Sequence, residues 1–167
     1  MCKLHSLCVL ISILLISCKI NYSFTGASVP PDVKTISIKT FPNRAPLAKP
    51  TLSQTFSESL RDYFQSQTNL TMVADYGNLQ LEGEIIKYST SFSAISGNET
   101  TAMNRLTITV QVRFTNTKDE SKNFDQAFSR YADYESTKIL SDVEDQLITE
   151  IIDQLTQDIF NKAISNW

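Results

Sequence analysis

Apolar residues recur along this chain with two different periods, and each change of period marks the end of one element and the start of another. Between Val33 and Phe41, Ile36 and Ile38 alternate with polar neighbours, which predicts a strand. The next stretch, Phe41 to Pro50, holds three prolines and reads as an extended loop. Thr51 and Gln54 then have the spacing of a capping box, and Leu52, Phe56, Leu60 and Phe64 follow at steps of four. That stripe predicts a helix from about Thr51 to Ser66.

The period returns to two beyond this helix. Leu70 to Val73 reads as a short strand and Asp75-Tyr76-Gly77-Asn78 as a turn. A strand pattern starts at Leu79 and continues to about Ile95, and Ser96-Gly97-Asn98-Glu99 turns the chain. Met103 to Thr115 carries the cleanest alternation. Leu106, Ile108, Val110, Val112 and Phe114 fall on one side, with Arg105, Thr107, Thr109, Gln111 and Arg113 on the other. After a charged turn from Asn116 to Asn123, Phe124 to Tyr134 reads as a further strand. Ser141-Asp142-Val143-Glu144 matches a second capping box and opens a long helix. Its stripe runs through Leu140, Val143, Leu147, Ile151, Leu155, Ile159 and Ala163, widened by Ile148, Ile152 and Phe160.

Two helices with one apolar stripe each can cover one face of a sheet. The expected fold class is therefore α+β: two helices packed on one face of a mostly antiparallel four-stranded sheet, a two-layer sandwich. The other face, rich in Thr, Ser, Arg and Lys, is left open or given to a partner.

The start of the chain has a different character. Lys3 precedes an apolar run from Leu7 to Ile16, followed by Ser17-Cys18. A positive charge, a short greasy run and a small residue are the parts of a secretory signal, and the run is too short to span a bilayer. Leu15-Ile16-Ser17-Cys18 looks like a bacterial lipobox, so residues 1–17 are expected to be a removed signal and Cys18 to carry lipid. Two or three acyl chains anchor stably where one is marginal. Residues 18–32 then read as a lipidated tether, with Tyr22 and Phe24 in a part that could be ordered, and residues 33–167 as one domain.

Removing the signal leaves 14 basic against 18 acidic residues, a mildly acidic surface that argues against nucleic acid as a partner. It also removes Cys2, Cys8 and His5, leaving one cysteine and no histidine. Disulfides, Cys/His metal sites and histidine-based nucleophilic catalysis are thereby excluded, and no cofactor or metal is expected. A carboxylate hydrolase would have to use pairs such as Glu82 and Glu84, which share a strand face and read better as a solvated surface. The remaining candidates are phosphate-binding cations: Arg105 and Arg113 on the best strand, Lys87 on its neighbour, and Arg44 and Lys49 on the proline loop.

Several segments carry a family resemblance: Tyr22-Ser23-Phe24-Thr25-Gly26-Ala27-Ser28-Val29-Pro30-Pro31, Val33-Lys34-Thr35-Ile36-Ser37-Ile38, Phe41-Pro42-Asn43-Arg44-Ala45 and Leu52-Ser53-Gln54-Thr55-Phe56. Leu81-Glu82-Gly83-Glu84-Ile85, Asn104-Arg105-Leu106-Thr107-Ile108 and Phe160-Asn161-Lys162-Ala163 continue the series. Their order and spacing resemble the LPS-assembly lipoprotein (LptE) family of Bacteroidetes, over essentially the whole mature chain. The resemblance implies two helices on a sheet, no catalytic residues, and an outer-membrane lipoprotein inside the β-barrel protein LptD. There it would plug the barrel, assist its assembly and contact lipopolysaccharide. The alternative is a periplasm-facing adaptor for another envelope complex, such as a secretion pore or a cell-wall synthase.

Overall fold

The computed structural model describes residues 29–93 and 102–164. The expected signal, Cys18, Tyr22, Phe24 and the turn at 96–99 lie outside the described residues. Strand β1 (Thr35–Ile38) leads to helix α1 (Leu52–Gln67), then β2 (Thr71–Met72), β3 (Leu79–Ser93), β4 (Met103–Asn116), β5 (Phe124–Glu135) and helix α2 (Leu140–Ile164). The strands form one sheet in the order β2-β1-β3-β4-β5. That is five strands rather than four. The fifth is two-residue β2, inside the Leu70 to Val73 segment that reads as a short strand, paired parallel to β1. β1 also runs parallel to β3, while β3, β4 and β5 form an antiparallel meander.

Both helices lie on one face of this sheet, and the core fills the space between. The stripe of α1 (Leu52, Phe56, Leu60, Phe64) is buried, as is that of α2 from Leu147 to Ile164. They meet the inward residues of β4, from Leu106 to Phe114, all at most 1% exposed. Neither helix starts with the capping box expected of it. Thr51 already has helical backbone angles and makes no capping bond, because the chain turns earlier, Leu52 N–H donating to the Lys49 carbonyl (3.0 Å). Ser141 lies inside α2, its hydroxyl donating to Asp142, and Glu144 is taken by Tyr88.

Three local devices decide what the open face presents. First, β2 and β3 flank β1 on opposite sides, so residues 74–78 must cross it. The Gly77 N–H donates to Ser37 Oγ (3.4 Å), and a Cβ at Gly77 would stand 2.6 Å from the Ser37 nitrogen. The crossing buries Ser37 and requires glycine at its closest approach. Second, the register of β3 shifts at Ile86: Ile85 faces Val110, but Lys87 faces Thr109. This bulge sends Tyr88 inward and turns Lys87 onto the polar face, where uninterrupted alternation would have aimed Lys87 at the helices. Third, both sheet edges are guarded. Beyond short β2, Arg61 of α1 donates to the Ile38 carbonyl (3.1 Å) and to Thr40 Oγ1 (3.0 Å), standing in for the missing strand. On β5, Arg130 points inward between Phe128 and Ala132 and is held by Asp158 of α2, Nη2 to Oδ1 2.7 Å. An inward charge of this kind opposes pairing by a foreign strand.

The two ends of the sandwich differ. At one end, Asn78 joins the start of β1 to the turn after β4. Its Oδ1 accepts from the Lys34 and Thr35 N–H groups, and its carbonyl accepts from Thr117. Val29 packs on the core. The far end holds the close of β3, the start of β4 and the start of α2. No helix of the described residues is long and apolar enough to cross a membrane.

Candidate functional site

Residues that alternate with the core positions of β3, β4 and β5 build the open face of the sheet. Small hydroxyl residues occupy its middle, where Ser89 faces Thr107 and Thr109 shares a 3.0 Å hydrogen bond with Ser129. Charges cluster toward the two ends. Arg105 makes a bidentate pair with Asp133, Nε to Oδ1 2.7 Å and Nη2 to Oδ2 2.8 Å. Its Nη2 also donates to Ser93 Oγ (3.3 Å), and the guanidinium lies 3.5 Å from the centre of the Tyr131 ring. Arg113 is shared between Glu82 (3.1 Å) and Asp125 (3.1 Å), and Gln111 also donates to Asp125.

One antiparallel register makes both arginine–aspartate pairs, since β4 sets Arg105 opposite Asp133 and Arg113 opposite Asp125. The arginines are eight residues apart on one strand and the aspartates eight apart on the next. Sequence reasoning missed these carboxylates, although that matched spacing was a signal that could have found them.

The five candidate cations do not converge. Arg44 reaches the same face from the proline loop, with Nε 3.2 Å from Glu84 Oε2. Together with Lys39 and Arg113, the carboxylates Glu82, Glu84 and Asp125 line an open groove of about 450 Å³. Three carboxylates against two cations make this groove a poor anion site unless a ligand displaces the carboxylates. The same pairing leaves Glu82 and Glu84 each in the grip of an arginine on an open surface, which gives no support to the hydrolase reading. Lys87 lies on this face with no side-chain partner among the described residues. Lys49 lies in the helix layer instead, bridging Glu144 (3.3 Å) and Asp145 (2.6 Å) at the start of α2. Beside it the Tyr88 hydroxyl donates to Glu144, and burial, reinforced by that carboxylate, pushes the phenol well above its ordinary range.

The bond from Arg105 holds the Asp133 carboxyl below the usual range, and those from Gln111 and then Arg113 do the same for Asp125. A depressed folded-state pKa stabilises above the unfolded value, near 3.9, and the effect is lost as pH falls through the folded value. Carboxyl NMR titration is expected to show Asp125 and Asp133 protonating below the ordinary aspartate value. Titration of both at the ordinary value would show that these pairs do not persist in solution.

Comparison with solved structures shows the fold shared with several proteins of low sequence identity. A minor lipoprotein from Acinetobacter baumannii aligns with a TM-score of 0.51 at 16% identity, covering 81% of this chain and 95% of that one. A hypothetical protein from Chlamydia trachomatis gives 0.54 at 9% identity, covering 80% and 99%. One from Xanthomonas campestris gives 0.55 at 8%, covering 80% and 84%. None of the curated proteins compared with the chain matches it. A family model described as LptE, lipopolysaccharide-assembly, matches residues 33–163.

Proposed function

The chain belongs to the LptE family of lipopolysaccharide-assembly lipoproteins, and from that premise we propose that it plugs the LptD β-barrel of the outer membrane. In this role it assists assembly of the barrel and takes part in moving lipopolysaccharide to the cell surface. Cys18 carries the lipid that holds it to the outer membrane, with the domain on the periplasmic side or within the barrel lumen. The observation that carries this reading is the family match over nearly the whole described domain. The surface chemistry supports it. The interior of a transmembrane barrel is polar, and the open sheet face offers hydroxyls and arginines already matched to carboxylates. Such a face meets a polar wall with its arginines already paired. The work is done by surfaces and is non-catalytic.

Lipopolysaccharide phosphates are met, on this reading, by the sheet face. Lys87 is available at once, while Arg105, Arg113 and Arg44 must exchange a carboxylate for a phosphate. Lys49, in the helix layer, contributes only if the ligand reaches around the sandwich.

Purifying the chain from membranes under native conditions tests the proposal. A large β-barrel protein is expected to accompany it, and depletion of the chain is expected to lower lipopolysaccharide at the surface. Recovery without any barrel, or with a secretion pore or cell-wall synthase in its place, would overturn it.

A further inference from the structure

Arg61 and Arg130 guard the two ends of the strand order, but β3 outruns its neighbour. β1 covers only the start of β3, as far as Leu81, and the proline loop adds one more contact at Ile85. From Lys87 to Ser93 the strand pairs with β4 on one side and with no described strand on the other. Leu81 and Ile85 turn their backbone groups to that second side, Leu81 accepting from Lys39 and Ile85 exchanging bonds with Pro42 and Arg44. The positions between them therefore bond β4, and they do so at its odd residues. Ala102, an even one, accordingly bonds toward β5, its carbonyl accepting from the Ser136 N–H (3.0 Å). Past the bulge the odd residues Thr109, Thr107 and Arg105 face Lys87, Ser89 and Ser91. Tyr88, Thr90 and Phe92 are left with their N–H and C=O groups directed off the sheet, and no bond among the described residues takes them. The Phe92 side chain is itself 88% exposed. An uncovered row of this kind is a template for another strand.

We propose that a second copy of this chain occupies this edge, the two β3 strands running antiparallel about a two-fold axis at Thr90. That register uses the whole free stretch, and the side chains suit it. Tyr88 of one copy and Phe92 of the other become directly opposed on the helix side, so the exposed Phe92 ring is covered by an aromatic neighbour. Tyr88 is fixed for this contact by its hydroxyl bond to Glu144. On the polar face Ser89 meets Ser91, and Thr90 meets itself. Lys87, the one charge between residues 87 and 93, meets Ser93 rather than another lysine. Arg105 donates to that Ser93, but its charge is already matched by Asp133. The stretch contains no proline, and on the helix side it carries Tyr88, Thr90 and Phe92 where β5 carries Arg130. Copies are thus turned away at β5 and admitted at β3. The interface is small, so the pairing is weak and depends on concentration. It is independent of the barrel reading, since it concerns the chain apart from any other protein.

The test is backbone amide exchange, read by NMR on the full chain produced alone, in dilute and concentrated samples. The Tyr88, Thr90 and Phe92 amides are expected to exchange about ten-fold more slowly in the concentrated sample. Those of Ser129 and Tyr131, which face outward on β5, should keep one rate. Exchange that ignores concentration at Tyr88, Thr90 and Phe92 overturns the proposal, as does an equal slowing at β5. Thr90→Lys places two like charges on the two-fold axis and, at an exposed position, should fold normally and lose the slowing. Thr90→Glu should behave in the same way. Mixing the two variants in equal amounts should restore the slowing, because lysine then meets glutamate. Slowing that survives in Thr90→Lys alone, or that mixing does not restore, overturns the proposal.

Discussion

Gly83→Ala is expected to cost this domain about 3 kcal/mol or more, the upper end of what overpacking a filled core costs. A Cβ at Gly83 would lie 2.0 Å from the Gln111 carbonyl oxygen and 2.7 Å from the Phe41 ring. The ring could shift, but the carbonyl belongs to β4, which pairs with β3 on one side and β5 on the other. Moving it would break the ladder at the point where Gly83 faces Val112. Phe41 is itself fully buried and edge-on to Phe56, 5.2 Å between ring centres, so relaxation on that side disturbs α1 as well. For a domain of this size, thermal unfolding should come about 10 °C earlier or more. A melting temperature within about 2 °C of the parent would show that β3 does not approach β4 so closely.

Phe64→Ala comes next, with an expected loss of about 3–5 kcal/mol. Phe64 is wholly buried at the end of α1, and its ring stands 5.0 Å from that of Phe160 on α2. Tyr63 meets the same Phe160 ring at 5.1 Å, so one aromatic residue of α2 is gripped by two of α1. Truncation leaves a cavity between two helices whose other contacts are to the sheet, and nothing nearby is free to fill it. Phe64→Leu keeps most of the volume and is expected to cost less than about 1.5 kcal/mol. Chemical denaturation of both variants checks the pair. Equal stability for Phe64→Ala and Phe64→Leu would mean that the helices are not packed through this ring.

The helices and β4 were legible because each buries one face along its whole length, and burial of that kind writes a period into the residues. α2 shows this best: all ten positions of its expected stripe face the core side, eight of them fully buried, while Leu140 and Val143 at its start are only partly so. The parts that were not legible depend on registers between segments far apart in sequence. The bulge at Ile86 changes which way Lys87 points; Ile85-Ile86 interrupts the alternation there, but the register in which the strand resumes is set by β4. β2 falls in the stretch that reads as a short strand, but its parallel pairing with β1 is not written there. The candidate site suffered most from this. Arg105 and Arg113 could be placed on the polar face from β4 alone, but that Asp133, Asp125 and Glu82 hold them requires both neighbouring registers. Lys49 and Arg44 sit five residues apart in one loop and end on opposite layers, a separation that no local pattern encodes.

Arg130 has a bearing on crowding. Where copies of a protein are concentrated, an open twelve-residue strand would meet another far more often than in dilute solution. Each such encounter at β5 would have to seal the Arg130–Asp158 pair beneath a foreign backbone, next to Phe128 and Ala132. One ion pair on an otherwise ordinary strand thus works against edge-to-edge pairing of copies through β5 wherever they are concentrated.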